Sequence, residues 1–148
     1  MAGLTFDEFR VGQVFTHQPS RTVTETDNLL FSALTMNPQP LHLDAEFAKS
    51  SHFGQRLVNS IFTLGLVVGL SVGETTLGTT VGNLGMEKVE FPKPVFIGDT
   101  IYPDHEVVGL ERKRSAGLLV LKVALRNQRG EVVLEGEHRY LIAYRPAA

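Results

Sequence analysis

The chain contains no cysteine. Disulfides and thiolate chemistry are therefore excluded, which suits a reducing cytoplasm. It has no excess of basic charge: the formal net charge of its 148 residues is −2, and 20% of them are charged. The one dense basic run, Arg112-Lys113-Arg114, is too short to make the basic face of a nucleic-acid binder. Met1 to Arg10 is mixed and acidic, without the apolar core of a secretory leader. No apolar run is long enough for a bilayer: the longest, Ile61 to Val72, is interrupted by Thr63, Gly65, Gly69 and Ser71 and reads as a buried helix. Linkers, low-complexity tracts and internal repeats are missing. So are a glycine-rich phosphate loop and a serine nucleophile elbow. His17, His52, His105 and His138 are scattered without metal-ligand spacing, and no metal site is expected. These absences leave one domain, residues 1–148, expected in the cytoplasm without nucleic-acid or membrane partners.

The elements that are present fall into two halves. Val14 to Val23 alternates loosely and predicts a first strand. Thr24 stands three residues before Asp27, a capping-box spacing, and Leu29, Leu30, Ala33 and Leu34 follow at helical intervals. Pro38 and Pro40 must stop that helix. Asp44 to Ser50 predicts a short second helix capped by Asp44. Asn59-Ser60 caps the next, Ile61 to Gly73, which is apolar on nearly all sides. Gly65 and Gly69, four apart on one face, predict close approach of this helix to a sheet. Strands are predicted at Thr79–Phe91, at Thr100–Arg114 with an irregular or edge start at Pro103, at Gly117–Asn127, and at Val132–Tyr144 after a turn at Gln128-Arg129-Gly130-Glu131. The composite is α+β, an antiparallel sheet wrapped around a long buried helix, which is the hot-dog architecture. Such sheets commonly pair, because pairing removes open edges.

Chemistry concentrates in the stretch from Phe31 to Ala48. Its double-proline loop is stiff and presents Asn37, Gln39 and His42 in a fixed geometry. Histidine is the natural acid/base near neutral pH. On residues alone, His42 is as readily a packed residue bonded to backbone.

Met36-Asn-Pro-Gln-Pro-Leu-His42, with Asp44 and Ala48 after it, resembles the signature of MaoC-like (R)-specific enoyl-CoA hydratases. That signature reads Gly-Asp-x-Asn-Pro-aliphatic-His. Here Met36 stands for the Gly, Asn37 for the catalytic Asp and Gln39 for the Asn, while Pro40, Leu41 and His42 match. Phe91-Pro-Lys-Pro-Val-Phe-Ile-Gly-Asp-Thr100 is a further point of likeness, marking the fold more than the reaction. The string from Leu34 to Asp44, with Leu57 to Gly65, is similar to the mesaconyl-CoA and itaconyl-CoA hydratase (methylmalyl-CoA dehydratase) subgroup. The resemblance implies a lyase that adds or removes water across a short, branched dicarboxylic enoyl-CoA. It implies His42 and Asn37 as catalytic residues, coenzyme A only as part of the substrate with no separate cofactor, and a homodimer or larger.

Asn37 cannot take up a proton, so His42 would carry the acid/base work with Asn37 orienting water. A neutral amide also avoids like-charge repulsion with a substrate carboxylate. The start of the buried helix, around Asn59 and Ser60, offers backbone donors to the thioester oxygen. Arg56, just before it, is the first candidate for the substrate carboxylate, with Arg21 and Lys88 behind it. Arg112-Lys113-Arg114 is either a contact for coenzyme A phosphates or a solvated hairpin tip. Two rival readings are a hot-dog acyl-CoA thioesterase and a non-catalytic acyl-CoA-binding subunit, the latter kept open by Asn37.

Overall fold

The computed structural model describes residues 3–16 and 19–147. The strand half of the chain follows its alternation. Gly117–Arg126 (β5) buries Leu119, Leu121, Val123 and Leu125 while Lys122 and Arg126 point to solvent, the period of two that a half-buried strand requires. Thr100–Arg112 (β4) and Val132–Ile142 (β6) pair antiparallel on either side of it. Thr80–Glu90 (β3) completes that edge, and Val14–Thr16 (β1) and Arg21–Thr22 (β2) both pair with β4. The order is β1-β4-β5-β6-β3.

Two strand expectations are corrected. The first predicted strand is two short pieces, β1 and β2, and His17, which lies between them, is outside the described residues. Pro103 does not mark an edge: β4 is an inner strand, and Pro103 falls between its partners β1, which ends opposite Asp104, and β2, opposite Ile101. A residue without an N–H is tolerated at such a break in the ladder. The turn at Gln128–Glu131 forms as expected, with Gly130 at φ 77°.

Ser60–Thr75 (α4) lies across the sheet, against β4 and β5. Its buried stripe is Thr63, Val67, Ser71 and Thr75, one residue per turn. Two of the hydroxyls in that stripe are satisfied inside the helix, Ser71 donating to Val68 O and Thr75 to Ser71 O, each at 2.8 Å. Gly65 and Gly69 do not face the sheet. Both are exposed, and a Cβ on either would meet nothing within 4 Å. A close approach of another kind is found at Gly117 on β5, where a Cβ would stand 2.0–2.4 Å from the Phe6 ring. Nor is α4 buried on all sides: Ile61 is 56% exposed. The helix is apolar around its circumference, but one chain covers only one face.

Candidate active site

Thr24 caps the helix Glu25–Leu34 (α1), and its reciprocal capping box with Asp27 forms as the spacing predicts. The face this helix turns inward is not the leucine face. Asn28 and Ser32, one turn apart, are fully buried, while Leu30 and Leu34 are 55% and 73% exposed. The apolar spacing therefore identified the helix but not its inner side.

The helix ends as Met36 takes a left-handed φ of 56°. Asn37 N–H then donates to Ser32 O at 2.9 Å, and Asn37 Oδ1 accepts from Gln39 N–H at 3.1 Å, an Asx turn. With its oxygen so engaged, Asn37 has its Nδ2 hydrogens to offer. Gln39 begins a single helical turn, Pro40–Leu43 (α2), with Pro40 at its first position, where a missing N–H costs nothing. His42 N–H closes that turn on Gln39 O at 3.0 Å. Asp44 ends it and caps Ala45–Lys49 (α3), accepting from the N–H groups of Glu46 and Phe47.

His42 is 9% exposed, and its Nδ1 lies 2.8 Å from Leu57 O. A carbonyl can only accept, so Nδ1 carries the proton and the lone pair of the neutral ring is on Nε2. Leu57 is itself fixed, by Leu57 N–H to Leu41 O at 3.1 Å and by a bridge to Phe96. Behind the histidine stands a polar knot that sequence reasoning missed. Asn28 Nδ2 donates to His42 O at 3.1 Å and to Leu57 O at 3.2 Å, and Asn28 Oδ1 accepts from Asn59 N–H at 2.8 Å. Asn59 in turn caps α4 through Ile61 N–H at 3.1 Å and donates to Ser32 Oγ at 3.4 Å. The only hint of it in the sequence is the polar pair Asn28 and Ser32, spaced one turn apart. Ser60, the first residue of α4, keeps one of the N–H groups that a helix start cannot satisfy internally.

The structure thus joins His42 and Asn59 through one carbonyl and one buried amide, with Ser60 next to Asn59 in the chain and Asn37 and Gln39 on the adjoining loop. Ser60 also lines a cavity of about 370 Å³, with Leu57, Thr63, Phe91, Lys93 and Val133 among its walls. Arg56 is elsewhere. It pairs with Glu25 at 2.7 Å and lines a separate cavity of about 350 Å³ with Lys49, Gln55 and Ile97. The remaining cation candidates also have partners: Arg21 pairs with Asp27, and Lys88 with Glu137. Arg112 sits over the Phe6 and Tyr144 rings and pairs with Asp7, while Lys113 pairs with Glu111, which matches the hairpin-tip reading of that run. Among the described residues no three His, Asp or Glu side chains gather as a metal site would need, and no helix is long and apolar enough to cross a membrane.

The chain is similar in sequence and fold to known proteins. The mesaconyl-CoA hydratase of Cereibacter sphaeroides is 33% identical over 135 residues, covering 90% of this chain and 39% of that protein. The beta-methylmalyl-CoA dehydratase of Chloroflexus aurantiacus is 31% identical over 135 residues, covering 90% and 38%. The chain therefore spans about two-fifths of the length of these two relatives. Among solved structures, a monoamine oxidase regulatory protein from Archaeoglobus superposes with a TM-score of 0.88 at 33% identity, over 99% of this chain and 98% of that one. Rv0216 of Mycobacterium tuberculosis, described as a double hotdog fold, superposes with a TM-score of 0.88 at 24% identity, over 99% of this chain and 46% of its own. Residues 7–127 match the model of the MaoC like domain, and with the hot-dog sheet and the His42 loop in place, the chain belongs to that family.

Proposed function

We propose that the protein is a hydratase/dehydratase of enoyl-CoA thioesters, a carbon–oxygen lyase. The observation that carries this reading is the bond from His42 Nδ1–H to Leu57 O, which leaves the lone pair of the neutral ring on Nε2, in a residue that Asn28 ties to the cap of α4. In the hydration direction, His42 Nε2 takes a proton from water as the water oxygen bonds to the β-carbon. The electron pair of the double bond moves to the α-carbon and thioester oxygen, where Ser60 N–H and the positive end of α4 meet the developing charge. The imidazolium then gives the proton to the α-carbon, so addition is syn and the ring returns to its starting state. Asn37 Nδ2 and Gln39 hold the water or the acyl group, and coenzyme A enters only as part of the substrate.

For the substrate, we propose a short dicarboxylic enoyl-CoA of the mesaconyl or itaconyl type. Support comes from the two relatives that act on such compounds by name. It comes also from the neutral amide at Asn37, since an aspartate there would add a second negative charge beside the substrate's own. Arg56 is the proposed partner of that carboxylate, exchanging Glu25 for it; a part-exposed pair of this kind is worth only about 1 kcal/mol, so exchange is cheap. The reading includes cytoplasmic action by a homodimer at least. Support comes from the outer edge of β3, with Val81 and Leu84 exposed, which would suit a second copy.

One assay tests reaction and substrate together: absorbance of the enoyl thioester, followed with mesaconyl-, itaconyl- and crotonyl-CoA in parallel, alongside free thiol release. Loss of absorbance without thiol release, fastest with the dicarboxylic substrates, is expected. Thiol release would favour a thioesterase, no turnover a binding subunit, and a preference for crotonyl-CoA would defeat the charge argument. Sedimentation of a fully active monomer would refute the dimer.

A further inference from the structure

We infer that Asn28 is a positioning residue, which locks the acid/base His42 and the donor-bearing start of α4 into one rigid unit. The inference rests on the hydratase reading for its kinetic consequence, but its structural half stands independently. Asn28 has no exposed surface. A buried carboxamide offers two N–H donors and one acceptor oxygen. Here both ends are used, and each use falls on a part of the site. Asn28 Nδ2 reaches His42 O at 3.1 Å, so it holds the backbone from which the imidazole hangs. It also reaches Leu57 O at 3.2 Å, the same oxygen that accepts His42 Nδ1–H at 2.8 Å. Asn28 therefore grips the histidine at its backbone and at its ring's acceptor together. Its oxygen takes Asn59 N–H at 2.8 Å, one residue before Ser60. Asn28 is thus bonded to the backbone of His42 and to the cap residue just before Ser60, while touching no reacting atom.

The neighbours leave it little freedom. Asn59 Nδ2 to Ser32 Oγ ties the helix cap back to α1, one turn after Asn28. The helix that carries Asn28 is anchored at its start by the Thr24–Asp27 box. A residue merely filling the core would not need to be polar at this point, and an unpaired buried amide would be costly. An isosteric carboxylate would keep the acceptor for Asn59 N–H. It would, however, present oxygen to two carbonyl oxygens, so Asn28→Asp removes the grip on His42 without changing volume.

The test uses the full chain with Asn28→Asp and Asn28→Ala, and with Asn127→Ala as a control. Asn127 is equally buried and holds the β5–β6 turn by accepting from Arg129 and Glu131 N–H. Two readouts are taken on folded protein: kcat and KM for the enoyl-CoA that the wild type hydrates, and the His42 tautomer from imidazole nitrogen shifts in NMR. The expected result for both Asn28 variants is a fall in kcat of about 10- to 100-fold with KM within about threefold, the scale of a misplacement of catalytic groups by a fraction of an ångström to one ångström. The Nδ1–H signal of His42 should give way to a mixture of tautomers. Asn127→Ala should lower stability and leave both readouts alone. An Asn28→Asp protein with wild-type kcat, or with His42 still wholly Nδ1–H, overturns the inference. If the wild type hydrates nothing, the functional reading fails, and the tautomer result alone decides the role of Asn28. If neither variant folds, the wild type decides: protected Asn28 amide protons and an Nδ1–H His42 support the lock, while fast exchange or the other tautomer refutes it.

Discussion

Lowering the pH should destabilise this protein through the buried His138. It lies on β6 with no exposed surface. Its ring stacks on Tyr140 with centroids 3.8 Å apart, and its Nε2 lies 3.1 Å from Asn83 Oδ1. Nδ1 has no hydrogen-bond partner among the described residues. Neutral imidazole fits this niche, with Nε2–H donating and Nδ1 bare; imidazolium would bury a charge and a second donor with no acceptor. Burial accordingly pushes the pKa down from 6.5 to about 4. The sign follows from linkage. The unfolded chain binds the proton first, so stability from the neutral ring is full above pH 6.5 and drains away as pH falls toward 4. Between pH 7 and pH 5 the loss is about 2 kcal/mol, rising to roughly 3 kcal/mol below both pKa values. Urea unfolding at a series of pH values, for the wild type and His138→Leu, isolates the effect, because other titrating groups are common to both. The wild type should lose about 2 kcal/mol more than the variant over that window. Parallel curves would refute the reasoning and mean that the niche accepts the charged ring.

Three further outcomes are expected. His42→Ala should stay folded and lose about two to four orders of magnitude in turnover, the range for a positioned acid/base; retention of most activity would remove His42 from the mechanism. Gly117→Ala should destabilise by about 1–3 kcal/mol, because the Phe6 ring it meets is held edge-on to Tyr144 at 5.5 Å; denaturant midpoints measure this, and a wild-type midpoint would mean the ring can yield. Arg56→Ala should erode a mesaconyl-over-crotonyl preference more than it harms crotonyl-CoA turnover. Lys93→Ala, on the wall of the cavity that Ser60 shares, is the comparison, and if it erodes the preference instead, the carboxylate lies in that cavity.

The order of elements was legible because each carries its own local signal. Thr24 and Asp27 mark a helix start, Pro38 and Pro40 mark its end, and the alternation from Leu119 to Leu125 marks a strand. The loop bearing Asn37, Gln39 and His42 was legible for the same reason, since proline fixes it within a few residues. The buried knot was not. Asn28 bonds across 14 and 31 residues of sequence, to His42 and Asn59, and no local periodicity encodes a partner that far away. Arg56 shows the same limit. Its place before α4 was correct, but Glu25, 31 residues earlier in the chain, decides which way it is held.

The exposed apolar faces of α1 and α4 have one physical source. Hydrophobic periodicity locates the face that is buried in the working protein, whereas the single chain buries only what it can reach by itself. On α1 the chain reaches inward with Asn28 and Ser32, because the site must be wired from beneath. The leucine face is left over, with Leu30 and Leu34 open. On α4 it reaches the sheet with Thr63, Val67 and Ser71, leaving Ile61, Gly65 and Gly69 outside. Scattered exposed leucines need no explanation, but these residues belong to two elements that flank the same polar knot, and β3 beside β6 has a free edge. A second copy seated on α1 and α4 would cover apolar surface, and one paired with β3 would close the edge. It would also shield the bases and donors at His42 and Ser60 from bulk water, where such groups act most strongly. On this argument the exposed leucines of α1 and the proposed dimer have one explanation: Asn28 and Ser32 serve the site, and Leu30 and Leu34, on the face opposite to them, would serve a partner.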